Sequence, residues 1–211
     1  MFPAHSPNVE HKLDYQELRI WIGILGMAMP VVLGLGGLFK EIQLQSSLSA
    51  YYHTNMHVAF IGTLWVIAFF MISYRGYEND WLWGDLAGLG ALGVSIFPTG
   101  VAGEPGGIYS TIHFISAGLF FAMLILFSGY LFTKSKLPPD QRGPRKKLRN
   151  AIYRLCAAIM ALCILAVILV KTLGDLDPDS TFVFWMESMA IFFFGISWFV
   201  KGEFILKDNP A

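Results

Sequence analysis

The sequence has few charged residues and no excess of either sign. Asp, Glu, Lys and Arg make up 14% of the 211 residues, and fifteen basic side chains balance fifteen acidic ones. A net charge of zero excludes a global electrostatic attraction to nucleic acid. Because 55% of the residues are hydrophobic and the mean hydropathy is +0.55, the composition also excludes a water-soluble domain of this size.

Cysteine is scarce, and the short motifs that mark common enzyme classes are lacking. Cys156 and Cys163 lie in one apolar run, where a helix would separate them by about 10 Å, too far for a disulfide. The chain has no internal repeat, Walker motif, glycine-rich dinucleotide fingerprint or Cys/His zinc spacing. The function must therefore be sought in scattered polar residues.

Long apolar runs are what the sequence does contain. A run of about 20 residues crosses the hydrocarbon core as a helix, and we identify six such runs: 19–39, 54–74, 82–98, 109–132, 151–170 and 181–204. We predict an all-α polytopic membrane protein, with six transmembrane helices in one bundle and no second domain in 1–211. The third run is short and rich in glycine, which favours a buried central helix in close contact with its neighbours.

The distribution of basic residues predicts the orientation in the membrane. Thirteen of the fifteen Lys and Arg residues fall on the side shared by the two termini, and only Lys40 and Lys171 fall on the other. Loops rich in Lys and Arg stay in the cytoplasm. We therefore expect both termini to be cytoplasmic, with a first span that is retained as an anchor, in a bacterial inner membrane.

The connector 134–150 holds seven of these basic residues and a single Asp. We predict a cytoplasmic loop that serves as the orientation signal. An alternative is a surface patch for anionic lipid head groups. A nucleic-acid role is not expected.

Ionisable side chains inside the predicted spans are candidate functional groups, because burying them in a bilayer is costly. His57, His113 and Glu187 lie one or two turns inside spans that start at the outer surface. A rise of about 1.5 Å per residue places each roughly 5 to 9 Å below that surface. This common depth predicts a shallow cavity open to the periplasm, and His53 would share a face with His57 if the second helix begins early.

The segment 43–55, QLQSSLSAYYHTN, precedes the second span. One interpretation is a capping and interfacial loop. The other is part of a site, since Ser49 and His53 stand four residues apart and could place a hydroxyl beside an imidazole. Tyr51, Tyr52 and Ser116 complete the predicted binding residues.

Three functions fit these residues, and the sequence leaves open whether the protein is an enzyme. The favoured one is a polar pocket that binds a lipid or another amphiphile. The second is a zinc-dependent hydrolase of a lipid amide or ester, with His53, His57, His113 and Glu187 as ligands and with Ser49 and Glu187 as catalytic groups. The third is a b-type haem between the second and fourth spans, walled by Phe60, Phe114 and Phe120. Partners would be membrane lipids, with a homo-oligomer or a membrane complex as further alternatives.

Several segments, among them SLSAYYHTNMHVAFIGTLW, ALGVSIFPTG and STIHFISAGLFF, resemble a group of uncharacterised bacterial six-span proteins. That group is similar in layout to the DRAM/Frag-type membrane proteins. The resemblance covers most of residues 20–207 and implies an architecture, since the group has no activity to carry over.

Ser49 and His53 also resemble the Ser-x3-His element of the alkaline ceramidase and progestin/adipoQ receptor superfamily of membrane hydrolases. That resemblance implies zinc-dependent hydrolysis. The sequence departs from the pattern in having six predicted spans, Glu187 near the C-terminus and no late His-x3-His pair.

Overall fold

The computed structural model describes residues 15–39, 42–74, 80–100, 107–135, 138, 141–174, 177 and 180–206. Within these ranges the regular elements are all helical. The α-helices are α1 (Tyr15–Phe39), α2 (His57–Ser73), α3 (Trp81–Ile96), α4 (Ile108–Gly129), α5 (Pro144–Leu173) and α6 (Phe182–Lys201). Two 3-10 helices, Ser49–His53 and Leu131–Thr133, precede α2 and follow α4.

Four of the helices are long and apolar enough to cross a membrane. They comprise Gln16–Gly36 in α1, Ile108–Thr133 from α4 into the second 3-10 helix, and the whole of α5 and α6. The remaining two, α2 and α3, are apolar but shorter, with 17 and 16 residues. The prediction of an all-helical membrane protein is confirmed at this level.

The six helices pack as a ring in chain order. Each helix contacts its neighbours in the sequence, and α1 contacts α6, which closes the ring. Aromatic side chains fill the interior; Phe60, Phe120, Phe127, Phe194 and Trp198 are all at most 2% exposed. Such large side chains contribute packing contacts between helices in a bilayer, where water does not drive the helices together.

The ring has two distinct ends. At the terminal end, where α1 begins and α6 ends, the Arg19 guanidinium lies over the ring of Tyr74, directly after α2. At the opposite end, which we call the loop end, Leu48 contacts Glu187 near the start of α6. Neighbouring helices therefore run in opposite directions, and residues from distant parts of the chain meet at each end.

Helix α3 confirms the predicted close packing, but not the predicted central position. A Cβ atom added to Gly84 or Gly88 would collide with the backbone of α2, and one added to Gly90 with the backbone of α4. Yet α3 packs mainly against these two helices, and Leu89 on its far side is 61% exposed. The small residues of α3 therefore lie where this peripheral helix contacts α2 and α4.

Two helices begin at residues that differ from the starts of the predicted spans. Helix α5 begins at Pro144 rather than at 151, so the last seven residues of the predicted basic loop 134–150 are helical. Proline suits the first turn of a helix because its fixed φ is already helical and its missing N–H would have no partner there. Helix α2 begins at His57 rather than at 54, since the Thr54 hydroxyl donates to Tyr51 O and accepts from Met56 N in a separate turn.

Candidate functional site

A small cavity lies inside the ring near the loop end. Three polar side chains face it: Ser49 of the first 3-10 helix, His113 of α4 and Glu187 of α6. The rest of its wall is mainly apolar and includes Phe60 and Phe120. Its volume is about 30 Å³, which is enough for a water molecule or two. We call this the loop-end pocket.

Glu187 joins α6 to the segment before α2. Its Oε2 accepts a hydrogen bond of 2.8 Å from the backbone N–H of Leu48. One turn earlier in α6, the N–H of Phe184 donates to Ser46 O at 2.9 Å. A carboxylate that is partly removed from water needs such donors, and this one leaves its other oxygen free for a further contact in the pocket. The Lys171 ammonium also acts on Glu187 electrostatically.

His113 is held by the end of α3. Its Nδ1 lies 2.7 Å from Phe97 O, and because a carbonyl only accepts, Nδ1 must carry the hydrogen. The last carbonyls of a helix have no partner within the helix, so the imidazole satisfies one of them. Nε2 then remains as the second polar atom of a side chain that is only 3% exposed.

Ser49 and its neighbours differ in what they contact. Ser49 shares a hydrogen bond of 3.1 Å with the Ser47 hydroxyl and lines the pocket. Tyr51 is fully buried against Phe184. That burial raises the pKa of Tyr51, and a backbone interaction with Gln45 opposes the rise.

Tyr52 and Ser116 lie away from the pocket lining. The Tyr52 ring packs edge-on against His53, with the centroids 5.3 Å apart. Ser116 occupies the space that a side chain at Gly93 would need, so it serves the contact between α3 and α4. Of the predicted binding and catalytic residues, Ser49 and Glu187 are therefore the two that reach the pocket.

His53 and His57 also lie outside the pocket lining, and both are exposed. His53 Nε2 donates to Thr99 O, and His57 Nδ1 donates to Thr54 O, each at 2.8 Å. Because α2 starts at His57, the two imidazoles belong to different elements and the expected shared helix face does not form. The predicted pairing of Ser49 with His53 is likewise replaced by separate partners.

The predicted zinc ligands do not fit a zinc site. Among the described residues, which include all four ligands, no group of three or more His, Cys, Asp or Glu side chains could hold a metal ion. Only His113 and Glu187 of the four share the pocket, whereas a catalytic zinc needs three protein ligands. The expected haem walls are also divided, since Phe60 and Phe120 line the pocket but Phe114 is 56% exposed.

Sequence reasoning missed the backbone groups that hold the site together. The Leu48 N–H and the carbonyls of Phe97 and Thr99 position Glu187, His113 and His53. One available signal was Pro98. The residue before a proline disfavours the helical conformation, so a helix is expected to end there and to leave its last carbonyls without a partner in the helix.

No known protein family, curated protein or solved structure matches this chain. The resemblances drawn from the sequence stay predictions, and the geometry of the site carries the functional argument.

Proposed function

We propose that the chain is a six-span inner-membrane protein whose loop-end pocket binds the polar head of a lipid or another amphiphile. The observation that carries the proposal is the convergence of Ser49, His113 and Glu187 on one cavity. Three separate parts of the chain supply these groups, although each apolar helix could have buried a hydrophobic side chain there at lower cost. Intramembrane polar groups that face a cavity together are typical of a binding site.

The pocket's chemistry favours a head group that donates hydrogen bonds. Glu187 can only accept when ionised, and Ser49 can accept or donate. An amine or a hydroxyl would therefore satisfy the carboxylate oxygen that Leu48 leaves free. A volume of about 30 Å³ admits only such a small group. The apolar tail would therefore lie outside, along the exposed side chains of Phe114 and Ile115, which directly follow His113.

The proposed topology has six spans, with both termini in the cytoplasm. Four helices have sufficient length on their own. Helices α2 and α3 pack within the same ring, and the 17 residues of α2 reach the lower limit for a span. The thirteen-to-two distribution of basic residues supports a cytoplasmic terminal end.

Lipid analysis of Glu187→Gln tests the pocket. Protein extracted with its native lipids is compared with the variant by mass spectrometry, and Glu17→Gln provides a matched change of an exposed carboxylate at the other end of the ring. We expect the amphiphile retained by the native protein to fall about tenfold or more in Glu187→Gln, because a hydrogen bond to a charged group contributes about 1.5–3 kcal/mol. It should be unchanged in Glu17→Gln.

Equal retention by all three proteins would contradict the proposal. Metal analysis and an absorption spectrum of the same preparations test the alternatives. Stoichiometric zinc that is lost in His113→Ala would favour the hydrolase, and a haem absorption band would favour the haem protein.

A further inference from the structure

Four basic side chains from three helices meet at the terminal end of the ring. They are Arg19 of α1, Lys146 and Arg149 of α5, and Lys201 of α6, and we call them the cationic cluster. Lys146, Arg19 and Arg149 each act electrostatically on Lys201. Like charges brought together away from water repel one another, so the arrangement costs free energy unless something offsets it.

Aromatic rings hold the cluster in place. Lys201 Nζ lies 5.4 Å from the centroid of Phe132, and Lys146 Nζ lies 6.0 Å from that of Tyr153. The Phe132 ring itself packs against both Tyr153 and Trp198. Cation–π contacts of this kind offset part of the repulsion, and the hydrogen bond of 3.1 Å from Lys146 Nζ to Phe132 O fixes the ammonium further.

Among the described residues, three cations and one carboxylate act on Lys201. The carboxylate is that of Glu203, and its Oε1 already accepts a hydrogen bond of 3.1 Å from Arg149 Nη1. The buried Nε of Arg19, at the same end of the ring, has no hydrogen-bond acceptor among the described residues. An additional anion with several acceptor oxygens would provide that acceptor and would offset the repulsion at Lys201.

We propose that the cationic cluster binds the phosphate of an anionic phospholipid at the terminal end of the ring. A phosphate offers several charged oxygens to donors arriving from different helices. Basic pockets between transmembrane helices are suited to anionic lipid head groups. The site lies at the opposite end from the loop-end pocket, so it does not depend on the function proposed for that pocket.

A lipid fits the surroundings better than a free phosphate ion. Helix α5, which supplies Lys146 and Arg149 to the cluster, continues into an apolar segment that is long enough to cross the membrane. A phospholipid could therefore place its head on the cluster and its acyl chains along the apolar part of the bundle. Inorganic phosphate would contact the cluster, but it has no acyl chain to pack along the apolar part of the bundle.

Phosphatidylglycerol binding to the detergent-solubilised full-length protein tests the proposal. Native mass spectrometry gives the Kd for this lipid, for phosphatidylcholine and for inorganic phosphate. We expect saturable binding of phosphatidylglycerol, with a Kd that rises about fivefold in Lys201→Gln and in Arg19→Gln. Lys147→Gln is the matched control, because this exposed lysine lies on α5 outside the cluster.

Glu203→Gln separates a binding effect from a folding defect. Removing the competing carboxylate should lower the Kd about fivefold, and damage to the fold cannot produce such a gain. Loss of affinity in Lys147→Gln equal to that in Lys201→Gln would overturn the proposal in favour of general surface attraction. Binding of inorganic phosphate without binding of phosphatidylglycerol would overturn the lipid assignment.

Discussion

At the scale of single residues, a hydrogen bond between two serines links α4 and α6 in the apolar interior. Ser128 Oγ donates to Ser197 Oγ at 2.5 Å, and Ser197 Oγ donates to Phe194 O at 2.8 Å. Both serines are fully buried. We expect Ser197→Ala to lower the free energy of unfolding by about 1 kcal/mol, because the Ser128 hydroxyl loses its acceptor. Unfolding in mixed detergent micelles measures the change.

The double variant Ser128→Ala/Ser197→Ala should recover much of that loss, since it leaves no buried hydroxyl without a partner. Thr172→Ala is the control, because the Thr172 hydroxyl is exposed and bonds only to carbonyls of its own helix. If Ser197→Ala and Thr172→Ala have the same effect, the bond between the helices contributes nothing measurable.

Single residues also show where sequence reasoning about the site succeeds and where it stops. Glu187 and His113 were predictable as pocket residues because a polar group in an apolar run has few other places to go. Ser49 lies in the polar segment before the second span, and its prediction depended on a pairing with His53 that does not form. The exposed positions of His53 and His57 were not predictable in this way. Their side chains satisfy carbonyls of Thr99 and Thr54, and such backbone partners depend on helix ends that the apolar pattern does not locate.

At the scale of whole elements, the contact between α1 and α6 depends on two glycines. A Cβ atom at Gly195 would lie 2.6 Å from Gly23 O, and one at Gly23 would lie 2.8 Å from Gly195 O. Neither backbone can approach so closely with a side chain present. We expect Gly195→Ala to force the helices apart and to lower the free energy of unfolding by about 1–3 kcal/mol.

Gly118→Ala is the matched control for this substitution. Gly118 is also in a helix, but nothing lies within 4 Å of the added Cβ, so alanine should be neutral or stabilising there. Thermal unfolding of the two variants in detergent makes the comparison. A loss in Gly118→Ala as large as that in Gly195→Ala would show that close packing is not the cause.

Elements were easier to predict than their boundaries. Each of the six apolar runs contains a helix, because a long apolar segment has no better way to satisfy its backbone in a bilayer. The early start of α5 escaped notice because the basic residues after Pro144 look like a loop. Arg149 and Asn150 are nevertheless buried, and it is their tertiary contacts that make this turn part of the bundle.

At the scale of the whole molecule, the ring divides polar chemistry between two ends of opposite character. A carboxylate, an imidazole and a hydroxyl face the loop-end pocket, whereas the cationic cluster occupies the terminal end. The sequence order of the spans predicts which residues share an end. It does not predict that α1 closes against α6, because that contact joins the two extremes of the chain.

Cysteine labelling tests whether α2 and α3 cross the membrane together with the four helices that are long and apolar enough to do so. The native Cys156 and Cys163 are buried and should react little with a membrane-impermeant maleimide. In intact cells we expect labelling of Gly100→Cys, which follows α3 at the loop end, and none of Trp81→Cys or Pro138→Cys at the terminal end. Positions 81, 100 and 138 are all exposed in the structure.

Trp81→Cys is the decisive position in this experiment. If α2 and α3 both cross, residue 81 reaches the cytoplasm and reacts only after the cells are opened, as Pro138→Cys does. If the pair turns back within the bilayer, residue 81 stays away from the cytoplasmic water and remains unlabelled even then. That result would reduce the topology to four spans. It would also place the start of α3 away from the head-group region, where the cationic cluster is proposed to bind lipid.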